Sequence, residues 1–454
     1  MLRKKYGRKT ELPFKKRIIY TILLLILFRL CCYIPLPFVD NDYIKSLLNT
    51  NGTLTLMNLL TGGSFEKMSI MALGITPYIT ASIVLQLFGV VFPRLADMQK
   101  EGSSGQAKME RITLLTGAGM ALVESVSMMI GYGRQGLLTT YTWYSVFIPS
   151  MMITIGCFAL SSMGQFMTKH LFGNGTSLIL LVGILSSYFS DAQSLYEVLT
   201  YNQKLAFKIF YCGIAVVAII LLFMFTLFLN ESEKRIKVTY SGKVSNTQTM
   251  KKDTVIPLKL IAGSVVPIIF ASTLISMPAM IQTFTGTDIK WLWIFNTGYW
   301  FSKAVPWASI GIVIYCVMIV FFSYYYNMLN MNEIEIADRL KRSGGTIYGI
   351  RPGKPTSDYL RSQMKYLTFL GGIGLCIIAL IPQLITSMLH ISRLAFLGTS
   401  IIITVSVISE TTKAYKAGHM AGVYAAKTGF LGGGNSLKKR RKTHVWKKEK
   451  KQGR

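Results

Sequence analysis

The chain has 454 residues, of which 51% are hydrophobic and only 15% are charged, and its formal net charge is +29. A soluble protein carries about 25% charged residues, so this composition excludes an ordinary soluble enzyme and predicts an integral membrane protein. The large excess of lysine and arginine favours contact with acidic partners such as anionic lipid or RNA.

Apolar stretches recur along the whole chain, and a helix that crosses a bilayer needs about 20 such residues. Ten predicted spans follow one another at 18–35, 69–92, 112–131, 146–168, 176–190, 206–229, 256–282, 305–329, 365–386 and 394–411. The pattern therefore predicts an all-α integral membrane protein with ten transmembrane helices.

A shorter apolar piece precedes the second span and ends at Gly62 and Gly63, while Gly74 and Pro77 interrupt the start of that span. Interrupted helices at membrane depth are tolerated only where protein or a water-filled cavity surrounds them. We interpret the short piece as a re-entrant helix that closes a pore. The alternative is an amphipathic helix that lies flat on the outer membrane face.

Basic residues are concentrated in both tails and in the even-numbered connections. Residues 1–17 hold eight Lys/Arg and 413–454 hold thirteen, while connections 231–259 and 331–365 hold seven each. By the positive-inside rule these segments are cytoplasmic, and ten spans place both termini on that side. Charge alone makes lipid headgroups and RNA equally good partners for the basic tail at 435–454.

The sequence carries no recognisable catalytic, nucleotide-binding or metal-binding motif. The six cysteines fall within the predicted spans without a CxxC spacing, and the four histidines are scattered. We therefore expect no metal, no cofactor and no catalysis, and we interpret the cysteines as small buried apolar residues.

Six sequence blocks in the right order resemble the SecY family, the channel subunit of the bacterial protein translocase. They are 71-MALGITPYITASIVLQL-87, 100-KEGSSGQAK-108, 173-GNGTSLIL-180, 255-VIPLKLIAGSVVPIIFAS-272, 337-ADRLKRSGGTIYGIRPGKPTSDYL-360 and 396-FLGTSIII-403. The resemblance implies a polypeptide-conducting channel in the bacterial cytoplasmic membrane. It also implies two pseudo-symmetric halves of five helices each, at 18–190 and 191–412.

The resemblance implies an apolar constriction that stops ions while a polypeptide can pass, which is how a hydrophobic gate works. Its matching residues are Ile75, Ile79, Thr176, Leu180, Ile269 and Ile403. Thr176 stands where the family usually has isoleucine, and its hydroxyl would either wet the gate or bond back to its own helix.

The resemblance also assigns a plug and a lateral gate. The plug segment is 54–65, with apolar residues Leu54, Leu56, Leu59, Leu60 and Phe65.

The gate positions are Thr80, Glu124 and Ile261, where Glu124 replaces the usual glutamine and Ile261 the usual asparagine. A carboxylate at this depth is costly and usually functional. Glu124 is either a structural residue, protonated or bonded to Thr80 or Ser127, or it gives the gate an altered opening threshold or substrate preference. These two departures from the family pattern leave open whether this is a housekeeping or an accessory channel.

Two cytoplasmic loops form the expected docking face. Residues Ile236, Val238 and Tyr240 alternate as in a hairpin strand, with a predicted turn at Ser241 and Gly242. In the second loop, glycines and Pro352 flank Arg351 and predict a stiff exposed tip. The implied docking residues are Arg351, Lys234, Arg235, Lys251 and Lys252.

The partners implied by the resemblance are the SecE and SecG subunits, the SecA motor ATPase, the ribosome, signal-sequence-bearing polypeptides and anionic lipids.

A secondary transporter of a small solute would also have broken helices, but it needs ionisable residues that converge at the membrane midplane. Arg29, Glu124 and Glu410 are the main buried-charge residues in the spans, which is few for such a site. A non-conducting scaffold for ribosomes would leave the plug and the apolar ring without a purpose.

Overall fold

The computed structural model of the chain describes residues 14–50, 52–101, 103–200, 205–240, 254–261, 266–285, 290–296, 300, 305–331, 333–389 and 397–432. Helices dominate these residues, and three short strands accompany them. The first eight helices are α1 (Phe14–Cys31), α2 (Asn41–Thr50), α3 (Gly52–Thr61), α4 (Thr76–Val91), α5 (Pro93–Lys100), α6 (Ser103–Tyr132), α7 (Trp143–His170) and α8 (Gly175–Thr200). The rest of the chain contributes α9 (Leu205–Glu231), β1 (Glu233–Tyr240), β2 (Thr254–Lys259), α10 (Val266–Thr285), α11 (Ile310–Asn330), α12 (Glu333–Arg342), β3 (Gly345–Ile347), α13 (Lys354–Leu389) and α14 (Leu397–Gly432).

Several helices are suited to a membrane by length and composition. Four helical segments of the described chain are long and apolar enough to cross a bilayer: Ser104–Leu137, Trp143–His170, Pro306–Arg342 and Lys354–Leu384. Shorter apolar helical segments lie at Gly175–Phe189, Val216–Glu231 and Val266–Pro278. Large apolar side chains such as Leu23 on α1 and Leu221 on α9 are exposed. Such an outer surface suits lipid better than water.

The predicted span at 256–282 is wrong in its first part. Residues 254–259 form strand β2, and the helix of this region begins only at Val266. A short apolar run does not reveal from periodicity alone whether it is a helix or a strand, and here pairing with β1 decides. The span predicted at 69–92 likewise becomes helical only at Thr76, because the residues before it form turns.

The predicted hairpin strand is confirmed, and it belongs to a larger sheet. Strand β1 lies between β2 and β3 and is antiparallel to both. Pro257 lies on the edge strand β2, where its missing N–H costs least. Side chains from this sheet pack with α12 and the start of α13 in one apolar cluster, formed by Ile236, Val238, Leu258, Leu340, Ile347, Leu360 and Met364. The predicted turn at 241–242 lies outside the described residues.

Two further apolar clusters fill the helical body. The first, which we call the axial cluster, joins residues of α1, α3, α4, α7, α8, α9, α10, α11, α13 and α14. The lateral cluster joins residues of α2, α3, α6 and α7 with the turns before α4. Helix α3 contributes residues to both clusters, so it packs between the two groups of helices.

Candidate functional site

The plug segment is buried inside the helical body. Leu59 and Leu60 belong to the axial cluster, whereas Leu54 and Phe65 belong to the lateral cluster, and each of the four is at most 8% exposed. Helix α3 contacts α8, α10 and α4. The side chain of Leu56 lies outside the described residues. A helix flat on the membrane surface would keep one polar face in water, and this burial disagrees with that alternative.

The helix of the plug segment is shorter than the segment itself. It ends at Thr61, because Gly62 and Gly63 adopt positive φ angles of 69° and 81°, as glycines often do at the end of a helix. The Asn58 side chain then holds the following turn: its Oδ1 accepts the Glu66 N–H at 3.0 Å, and its Nδ2 donates to Glu66 Oε2 at 3.2 Å. This asparagine was not singled out from the sequence.

The end of the plug helix lies against α8 at very short range. A Cβ added to Gly62 would lie 2.6 Å from the Gly183 Cα, so only glycine fits there. Arg29 of α1 also binds this end of the helix, since its Nη1 donates to the Gly62 carbonyl oxygen at 3.0 Å. Its Nη2 donates to Ser186 Oγ on α8. The sequence offered Arg29 only as a buried charge; its partners required the tertiary structure.

The residues of the expected constriction lie in one part of the fold. Ile75, Leu180 and Ile403 are buried in the axial cluster, while Ile79 and Ile269 are partly buried against it. These residues come from α4, α8, α10 and α14 and from the residue that precedes α4. Leu59 and Leu60 of the segment 54–65 belong to the same cluster.

Thr176 does not direct its polar atom at the other ring residues. Its hydroxyl donates to Asn174 Oδ1 at 2.8 Å, at the start of α8. Its methyl group instead faces Gly164 on α7: a Cβ added to Gly164 would lie 3.1 Å from Thr176 Cγ2 and 3.6 Å from Ile75 Cδ1. Of the two readings offered by the sequence, the structure favours a local hydrogen bond.

The three predicted gate positions do not form a hydrogen-bonded group. The Thr80 hydroxyl donates to the Thr76 carbonyl of its own helix at 3.1 Å. In the described part of the chain, Glu124 Oε2 is buried without a hydrogen-bond partner, so neither Thr80 nor Ser127 bonds to it. Glu124 lies on α6, which packs against α7.

Ile261 follows β2 and is not in a transmembrane helix, contrary to the predicted span. Its side chain is buried, and a Cβ added to Gly371 on α13 would lie 3.3 Å from Ile261 Cγ1. The substitution of asparagine by isoleucine thus places an apolar side chain against α13.

A contact that the sequence did not reveal joins α4 to α11. The Tyr325 hydroxyl donates to the Gln86 carbonyl oxygen at 2.8 Å. Gln86 also donates to Ser82 Oγ at 3.0 Å within α4. Gln86 and Tyr325 are far apart in the chain, so no local pattern could have connected them.

The Arg351 tip is exposed and held by defined turns. Gly349 and Gly353 flank it with φ angles of 78° and 106°, and the Thr356 hydroxyl donates to the Arg351 carbonyl at 2.8 Å. The tip joins β3 to α13, so the sheet anchors one side and a long helix the other. Within the described residues, no carboxylate pairs with Arg351.

The other expected docking residues differ from Arg351. Lys234 donates to Gln363 Oε1, and Arg235 pairs with Glu233 at 2.8 Å, so both already have partners within this surface. Lys251 and Lys252 lie outside the described residues. Of the three expected docking residues that the structure describes, Arg351 is therefore the best placed to meet another molecule.

Comparison with known proteins gives a consistent result. The family model described as SecY matches residues 69–412. The protein translocase subunit SecY of Porphyra purpurea is 34% identical over 412 residues, which cover 90% of this chain and 96% of that protein. The SecY subunit of Bacillus subtilis strain 168 is 32% identical over 407 residues, which cover 88% and 93%.

Solved structures show the same fold. A protein-conducting channel matches with a TM-score of 0.64 at 16% sequence identity and covers 90% of this chain and 94% of its own. Sec61 from a canine ribosome–channel complex of the endoplasmic reticulum matches with a TM-score of 0.60, the same identity and the same coverage.

Proposed function

The chain belongs to the SecY family. From this premise we propose which of its residues close the pore, which form the lateral gate and which bind partners. It is a multi-pass membrane protein and a protein-conducting translocation channel. The transporter reading gains no support. Arg29, a charged residue of the first predicted span, donates to the Gly62 carbonyl at the end of α3 and to the Ser186 hydroxyl on α8.

The closed pore combines an apolar ring with a plug. Ile75, Ile79, Leu180, Ile269 and Ile403 form the ring, and Thr176 adds a methyl group. One observation carries this assignment: Leu59 and Leu60 of the plug segment pack in the same apolar cluster as the ring residues. A dry apolar constriction blocks ions without a specific contact, and the plug fills the space that a passing polypeptide would take.

The ten predicted spans form two five-helix halves, and both tails lie in the cytoplasm of a bacterial cell. The lateral gate lies where the halves meet, and it releases apolar segments into lipid. The hydrogen bond from Tyr325 to Gln86 joins α11 of the second half to α4 of the first, so it supports a closed seam there. Thr80 and Glu124 line the first half near this seam without bonding across it.

The three-stranded sheet and the Arg351 tip form the cytoplasmic docking face. An exposed guanidinium on a rigid turn suits both carboxylate and phosphate partners, which fits SecA and ribosomal RNA. Two structural relatives are channel–ribosome complexes, which supports the ribosome as one partner. SecE and SecG complete the channel, and anionic lipid contacts the basic tails. The energy for translocation comes from SecA or from chain elongation, because the channel has no catalysis of its own.

Deletion of residues 54–65 tests the plug assignment. The deleted channel should assemble in normal amounts but should conduct ions when no polypeptide is present, because the apolar filling of the axis is removed. The measurement is single-channel conductance in planar bilayers, with the amount of inserted protein as a control. A deleted channel as tight as the parent would contradict the assignment.

A further inference from the structure

The end of the plug helix is held by one cation from a helix outside the plug segment. Arg29 donates to the Gly62 carbonyl at 3.0 Å and to Ser186 Oγ, and so joins α1, the plug helix and α8. We propose that Arg29, with these two acceptors, forms a clamp that positions the plug in the closed channel. This proposal rests on the assignment of 54–65 as the plug.

The chemistry of the contact favours a cation at this place. Gly62 directly follows the last residue of α3, where the carbonyl groups of a helix lack partners and carry partial negative charge. A guanidinium satisfies such a carbonyl and offers further donors to a second acceptor. Arg29 therefore acts on the plug helix and on α8 at once, which a shorter or neutral side chain cannot do.

The surroundings make this contact suited to release. In the described part of the chain, Arg29 pairs with no carboxylate. Its partners are neutral oxygens, which hold a cation less strongly than a carboxylate would. The clamp therefore holds the plug in the resting state and yields when a polypeptide enters.

The base of the plug is fixed to α1 by separate contacts. The N–H of Leu36 donates to the Met68 carbonyl at 2.9 Å, and the N–H of Ile70 donates to the Ile34 carbonyl at 3.1 Å. The chain that follows α1 is therefore paired with residues 68–70, so Arg29 is fixed relative to the plug base. The segment between Gly62 and Met68 can then act as the hinge, and the clamp holds its moving end.

The test measures ion conductance of the resting channel in planar bilayers for Arg29→Gln, in the full chain and in the 54–65 deletion. In the full chain, losing hydrogen bonds to a charged group should raise the open fraction roughly tenfold or more. In the deletion, the same substitution should add nothing, because the group that Arg29 positions is absent. Arg29→Lys should leak less than Arg29→Gln, since one ammonium still reaches the Gly62 carbonyl.

Two controls separate the clamp from folding. Ser186→Ala removes one acceptor on α8 and should raise conductance by a smaller factor, and it keeps the test available if Arg29→Gln inserts poorly. Thr21→Ala removes a buried hydroxyl from α1 that bonds, within the described residues, to the Arg17 carbonyl, and it should leave conductance unchanged.

The outcomes are distinguishable. A leaky deletion with a tight Arg29→Gln channel overturns the clamp and leaves the plug in place. Equal added leakage from Arg29→Gln in both backgrounds means that Arg29 acts on the scaffold, which also overturns the clamp. A tight deletion overturns the plug assignment, and the clamp with it.

Discussion

Replacing Gly62 by alanine should unseat the plug, and the cost can be worked out from the structure. The residue has a φ of 69°, a region that costs a non-glycine residue about 1 kcal/mol. The added Cβ would also lie 2.6 Å from the Gly183 Cα and 2.7 Å from its carbonyl oxygen. Both are backbone atoms of α8, so the plug end must move away. Moving it stretches the hydrogen bond from Arg29, which is 3.0 Å long.

Gly63 provides a matched control one residue away. Its φ is 81°, so alanine pays a similar backbone cost, but a Cβ there would have no neighbour within 4 Å. The difference between Gly62→Ala and Gly63→Ala therefore isolates the contact with α8. Losing a hydrogen bond to a charged group costs about 1.5–3 kcal/mol, which shifts the ratio of unseated to seated plug roughly 10- to 150-fold.

The assay is resting ion conductance of the purified channel in planar bilayers, normalised to the amount of inserted protein. Gly62→Ala should leak strongly and Gly63→Ala only slightly. Equal leakage from both variants would show that backbone strain alone matters, and would refute the reasoning from the Gly62–Gly183 contact. Tight channels from both would mean that this turn does not seat the plug.

Substitutions at three further positions test other parts of the proposal. Arg351→Glu should abolish translocation while insertion stays normal, because charge reversal repels an acidic partner; normal secretion with normal SecA affinity would remove Arg351 from the docking site. Tyr325→Phe should ease lateral opening, since it removes the hydroxyl that donates to the Gln86 carbonyl, and a graded series of signal sequences on an exported reporter should show a lower threshold. Glu124→Gln should behave like the parent, whereas Glu124→Leu should lower the same threshold if the carboxyl group acts at the gate; an unchanged threshold in the leucine variant identifies Glu124 as a packing residue.

Controls for these variants come from the same structure. Arg342→Glu reverses a charge in the last turn of α12 away from the Arg351 tip, and it should affect translocation less than Arg351→Glu does. Tyr324→Phe removes a hydroxyl that bonds to the Lys365 carbonyl at 3.1 Å, within the second half of the chain, so it should leave the lateral threshold unchanged.

Short-range patterns in the sequence predicted much of this fold. Long apolar stretches predicted the helices because a helix in lipid needs a continuous apolar length. The glycines at 62 and 63 predicted the end of the plug helix, and those at 349 and 353 predicted the Arg351 tip, because positive φ angles favour glycine. The blocks around Gly74, Asn174 and Arg351 indicated the family, and the comparisons confirmed it.

The errors and omissions of the sequence-based predictions have one physical origin, namely contacts between residues that are far apart in the chain. Residues 256–259 were placed at the start of a predicted span, yet they belong to strand β2 because β1 offers its backbone groups as partners. Strand β3 has only three residues, too few for any period to be visible. A hydrogen bond from Glu124 to Thr80 or Ser127 was one of the alternatives that the sequence left open, and the structure does not show it. The direction of side chains on packed helices decides such pairs.

The sequence by itself determined the class of protein, the positions of most helices and the family, since each depends on composition or on neighbours within a few residues. It also predicts the sidedness of the tails. Only the tertiary structure decided that Arg29 meets the Gly62 carbonyl, that Gly62 lies against Gly183, and that Tyr325 reaches Gln86. These contacts join residues 33 to 239 positions apart. Their formation depends on how whole helices pack, because a hydrogen bond or a close backbone approach requires both partners to be in place at once.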